Sequence, residues 1–137
     1  MDLTKIDNLA DYMDKKSLYN WFNDVLNYAE SDKSHESVEE ITDALYELAL
    51  RQWHVYEQLD NHMKKRIEMW IKEVWSGRTP DFIEGITGII GMLGLGNIYR
   101  YIKNSLETEE DDDIRAMIRY VIKELEGHED NPYWNLN

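Results

Sequence analysis

One spacing recurs three times in this chain: Leu18-x-x-Trp21-Phe22-x-x-Val25-Leu26, Ile67-x-x-Trp70-Ile71-x-x-Val74-Trp75 and Ile98-x-x-Tyr101-Ile102-x-x-Ser105-Leu106. Apolar residues at i, i+3, i+4, i+7 and i+8 lie on one face of an α-helix, and a second helical stripe follows each copy. A helical hairpin of this kind cannot bury its apolar face alone. It has to stack on its neighbours, which produces an extended surface suited to holding a partner rather than an enclosed pocket.

The intervening sequence marks the ends of the helices. A short helix is expected over Leu3 to Met13, capping the open end of the stack, and Ser17 is expected to cap the first repeated helix. Ser37-Val38-Glu39-Glu40 has the form of a capping box. Its helix carries the stripe Ile41, Ala44, Leu45, Leu48 and continues toward Leu59. A break follows at Asp60 and Asn61. Thr79-Pro80-Asp81 reads as N-cap, first-turn proline and first-turn acid, and Gly94-Leu95-Gly96 closes the helix that begins there. Asn97 is expected to cap the third repeated helix, and Asp111, Asp112 and Asp113 precede the last one. Gly85, Gly88 and Gly91 recur every three residues and would let a neighbouring helix come close.

The expectation is therefore a single all-α domain of about seven helices without a sheet. It divides into a capping helix over 1–14, hairpin units over 15–59, 60–95 and 97–127, and a tail over 128–137. Residues 89–125 resemble a HEAT-like repeat. The likeness rests on a small-residue helix ending in Leu-Gly, a turn, a helix with two apolar pairs, an acidic turn, and Asp113-Ile114-Arg115 opening the next helix. That resemblance implies a curved stack of antiparallel hairpins that binds other macromolecules, with the second helix of each pair on the concave side.

Charge narrows the class of partner. The chain has 28 acidic and 15 basic side chains in 137 residues, a formal net charge of −13. Residues 1–48 hold 12 acids against 4 bases. Direct binding to nucleic acid or to an anionic membrane is disfavoured, because both need cationic surface. A basic protein would be attracted and steered. No cysteine is present, so disulfides and thiolate metal sites are excluded. The first residues lack a secretory signal pattern and no stretch is long enough to span a membrane, so a cytoplasmic protein is expected.

No catalytic motif of strength is found, and no cofactor is called for. His35, His54, His62 and His128 have no metal-ligand spacing, and Gly91-x-x-Gly94-x-Gly96 lacks the strand and the lysine of a phosphate loop. Glu39-Glu40-x-x-Asp43 followed by Glu57-x-x-Asp60 is similar to the acidic motif of MazG-type nucleotide pyrophosphohydrolases, which would imply a divalent metal and an enzyme. The combination of small size, acidity and no catalytic site is instead similar to bacterial immunity proteins. That resemblance implies inhibition of a basic toxin nuclease by occupation of its substrate cleft. A phage-encoded inhibitor of a nucleic-acid-dependent defence system would have the same physical properties. The partner-binding residues expected on this reading are Glu39, Glu40, Asp43, Tyr46 and Glu47 from the first unit, Glu84 from the second, and Asp111, Asp112 and Asp113 at the last turn. Trp53, with Tyr56 and the aromatics of the tail, is expected to offer an interface anchor.

Overall fold

The computed structural model describes residues 1–136. It is all-α: six α-helices and three short 3-10 segments, with no strand among the described residues. The helices are α1 (Lys15–Ser31), α2 (Val38–Trp53), α3 (Asn61–Val74), α4 (Pro80–Leu93), α5 (Gly96–Ser105) and α6 (Asp112–Leu125). No helix among the described residues is long and apolar enough to cross a membrane.

The helices form two ranks. α1 packs on α3 and α3 on α5 in one rank, α2 packs on α4 and α4 on α6 in the other, and α1 to α2 and α5 to α6 join them. The core lies between the ranks and is built from the predicted stripes: Leu18, Phe22, Val25 and Leu26 from α1, Ile41, Leu45 and Leu48 from α2, Ile67 and Ile71 from α3, and Ile86, Ile89 and Ile90 from α4 are all fully buried. Each such side chain contributes roughly 1.5–3 kcal/mol through removal of apolar area from water.

α2 and α4 approach each other closely. A Cβ placed on Gly85 would come within 2.8 Å of Thr42 Cγ2, one on Gly88 within 2.5 Å of the Tyr46 ring, and one on Gly91 3.2 Å from Leu125 Cδ2 of α6. The three-residue glycine spacing on α4 is thus a packing surface, as expected.

Several expected helix ends fall elsewhere. The Leu3–Met13 helix is a single 3-10 segment, Leu3–Asn8, held by Arg51. That side chain is only 4% exposed and donates to the carbonyls of Ala10 and Leu9 at 3.0 Å each. α1 is capped by Asp14, which accepts from the N–H of Ser17, so Ser17 lies inside the helix. The Ser37 capping box does not form: the Ser37 N–H donates to Asp32 Oδ2 at 3.0 Å instead of to Glu40, and the Ser37 hydroxyl lies 3.1 Å from Tyr28 Oη and makes no bond to the helix. α2 stops at Trp53 instead of running on toward Leu59.

Asn97 does not cap α5. The Ile98 N–H of that helix donates to Glu68 Oε2 of α3 at 2.7 Å, a cap supplied from the neighbouring helix, and Asn97 Oδ1 accepts from Arg100 instead. Asp60, Thr79 and Asp111 cap α3, α4 and α6 through their side chains. Gly94 ends α4 at φ +68°, a left-handed conformation that glycine adopts without strain.

The equivalence of Trp21, Trp70 and Tyr101 is only partial. Trp70 is buried and Trp21 half-buried, whereas Tyr101 is 38% exposed beneath the Lys72 ammonium, 4.9 Å from its ring centroid. The tail reaches beyond the last hairpin. It runs from α6 across the α4–α5 turn, where Pro132 and Asp130 lie against Gly94, to the C-terminal end of α2. Asn137 of the expected tail lies outside the described residues.

Candidate functional site

The rank of α2, α4 and α6 encloses an open groove of about 630 Å³. Helical periodicity aims the residues into it: Asp43, Tyr46 and Glu47 stand at i, i+3 and i+4 on α2, Asp81 and Glu84 at i and i+3 on α4, and Tyr120 and Glu124 at i and i+4 on α6. Asp7, from the first 3-10 segment, also lines it. Gly85 and Gly88 form the wall between them, so the α4 backbone is bare there and the Tyr46 ring rests on it.

Six carboxylates therefore share one concave surface, and among the described residues no lysine or arginine lines it. Only Glu47 makes an ion pair among the described residues, with the buried Arg51 at 3.0 Å. The others repel one another, and Asp43 registers the effect. Partial burial, followed by the charges of Asp7, Glu40, Asp81 and Glu47, raises its pKa above the usual aspartate value. Such a groove is electrostatically unsatisfied and is complementary to cationic side chains. Tyr46 and Tyr120, 38% and 43% exposed, add faces on which a guanidinium or ammonium can rest.

Of the residues expected to bind a partner, Asp43, Tyr46, Glu47 and Glu84 are brought together here. Glu40 is exposed on α2 one turn before Asp43 and contributes to its shift. Glu39 lines an adjoining hollow with Val38 and Thr42, which shares Asp43 and Asp81 with the groove. Asp111, Asp112 and Asp113 do not join the set. Asp111 accepts from the N–H groups of Asp113 and Ile114 as the cap of α6, and the other two are first-turn acids of that helix, roughly 12 Å along its axis from Tyr120 at 1.5 Å per residue. Trp53 lies outside the groove and packs against Tyr133 and Tyr56 at ring-centroid distances of 5.6 and 6.0 Å.

Sequence reasoning did not place Asp7, Asp81, Tyr120 or Glu124 in the site. Asp81 was legible only as a first-turn acid. For Tyr120 and Glu124 the signal was a four-residue polar spacing on the far side of the α6 stripe.

The acids of the pyrophosphohydrolase-like motif have other partners: Glu57 pairs with Lys15 at 2.8 Å, and Asp60 caps α3 by accepting the Met63 N–H at 2.8 Å. Among the described residues, no group of three or more His, Asp or Glu side chains is disposed to hold a metal ion. No protein-family model, curated protein or solved structure matches this chain.

Proposed function

We propose that this chain is a cytoplasmic binding protein of HEAT-like hairpins that neutralises a basic partner, in the manner of an immunity protein occupying the substrate cleft of a toxin nuclease. One observation carries the reading. Carboxylates from α2, α4, α6 and the N-terminal segment meet in a single groove that no basic side chain among the described residues lines. A nuclease cleft is cationic because it holds phosphates, and a groove presenting carboxylates at helical intervals competes for the same side chains. The two tyrosines supply contact area of the kind enriched at interface hot spots.

The test is capture of the partner from the native cell with wild-type chain and with the Asp43→Lys, Glu47→Lys, Glu84→Lys triple variant. The expected partner is a nuclease whose hydrolysis of DNA or RNA the wild type blocks. The triple reversal should weaken inhibition at least about a hundredfold, because like charges then face each other across the interface. A partner held equally well by both proteins would overturn the reading.

A further inference from the structure

The opposite rank has a second groove, of about 570 Å³, between α3 and α5. Its charge differs from that of the rest of the molecule. α3 carries Lys64, Lys65, Arg66 and Lys72 against Glu68 and Glu73, and α5 carries Arg100 and Lys103 with no acid, in a chain of net charge −13. Lys64, Lys65 and Lys72 line the groove, and none of them forms an ion pair among the described residues.

The acids that line the groove are occupied. Glu68 caps the Ile98 N–H, and Asp130 pairs with Arg100 at 3.1 Å. Lys64 is half-buried, and that burial holds its ammonium below the usual lysine pKa despite the charges of Glu68 and Asp130. The groove also bears exposed apolar surface, with Met69 62% and Tyr101 38% exposed.

From this arrangement we infer that the α3–α5 groove is a second interaction site, which takes an acidic peptide segment of a partner protein with carboxylates interleaved with apolar side chains. Two features select a peptide over a free phosphate. At the α5 start the Ile98 N–H is already held by the Glu68 carboxylate and the Asp130 carboxylate lies against Gly96, and the apolar surface beside the lysines has no use for an inorganic anion. The overall negative charge does not forbid binding, because beyond roughly 8 Å at physiological salt it is screened and the adjacent lysines dominate. The protein then has two oppositely charged faces and can hold two chains at once, or two parts of one.

The test titrates the full chain with a short peptide alternating glutamate and leucine, with its lysine-for-glutamate counterpart, and with tripolyphosphate, by calorimetry. The acidic peptide should bind, and the Lys65→Gln, Lys72→Gln double variant, altered only at exposed positions, should weaken it about tenfold or more. Raising salt from about 50 to 200 mM should weaken it severalfold, and the Asp43→Lys, Glu47→Lys, Glu84→Lys variant should retain it. Failure of the acidic peptide to bind, indifference to the double variant, or tighter binding of tripolyphosphate would overturn the inference. So would sedimentation showing self-association that depends on Lys65 and Lys72, which would make a second copy the occupant.

Discussion

The indole Nε1–H of Trp53 donates to the carbonyl of Pro132 at 2.8 Å, joining the end of α2 to the C-terminal tail across 79 residues of sequence. The bond is returned: Tyr133 Oη donates to the Trp53 carbonyl at 2.9 Å, and its ring stacks on Tyr56. Replacing Trp53 by Phe keeps an aromatic ring but leaves the buried Pro132 carbonyl without its donor, which costs about 1–3 kcal/mol. The urea midpoint should fall with an unchanged denaturant slope.

Arg51 fastens the N-terminal segment. It is the one buried lysine or arginine among the described residues, and it bonds two carbonyls of that segment as well as the carbonyl and carboxylate of Glu47. Arg51→Met preserves the aliphatic stem and removes every one of these bonds. Stability should drop by about 2–3 kcal/mol, and hydrogen exchange should show residues 1–10 losing protection before the helices do.

Alanine at Gly85 and at Gly91 should have opposite outcomes, although both remove a helix-interior glycine and gain about 1 kcal/mol of propensity. The Gly85 methyl meets Thr42, whose hydroxyl is tied to the Val38 carbonyl at 2.7 Å and cannot give way. Overpacking there costs about 1–3 kcal/mol and outweighs the gain. At Gly91 the neighbour is the end of the Leu125 side chain, which can shift a few tenths of an ångström. Thermal melts should place Gly85→Ala below the parent and Gly91→Ala at or above it.

Asp43 gives a pH signature. Its pKa is raised in the folded state, so the native protein holds this proton more tightly than the unfolded chain does. Stability from this group is then full below the ordinary aspartate pKa and is lost as pH rises through the folded value. Asp43→Asn should raise stability at neutral pH, within the roughly 0.5 kcal/mol a solvent-screened surface site can move, and leave it unchanged in acid. The same substitution should weaken capture of the basic partner. Melting curves at acid and neutral pH check the first, and affinity at neutral pH the second.

The architecture was legible because it rests on periodicity. Stripes such as Leu18, Phe22, Val25 and Ile67, Ile71, Val74 became the core without alteration. Half of the anionic groove was legible, since Asp43, Tyr46 and Glu47 follow a helical spacing that can be counted and Glu84 is an acid on the second helix of its unit. What escaped depends on contacts between distant segments. Ser17 and Ser37 have the right residue type for caps, but Asp14 and Tyr28 take those hydroxyls. Glu68 caps a helix 30 residues away, which no local pattern encodes. Trp53 stood apart from its stripe and could be read as an interface anchor, yet the contact it makes is with the chain's own tail.

The tail crossing from α6 to the end of α2 bears on how the molecule melts. In a row of units that touch only their neighbours, the terminal unit frays first and unfolding proceeds inward. A strap clamped at Gly94 and Trp53 makes the last hairpin share the fate of the first. Loss of structure at either end therefore withdraws support from the other, and unfolding is expected to be one cooperative step rather than an unzipping.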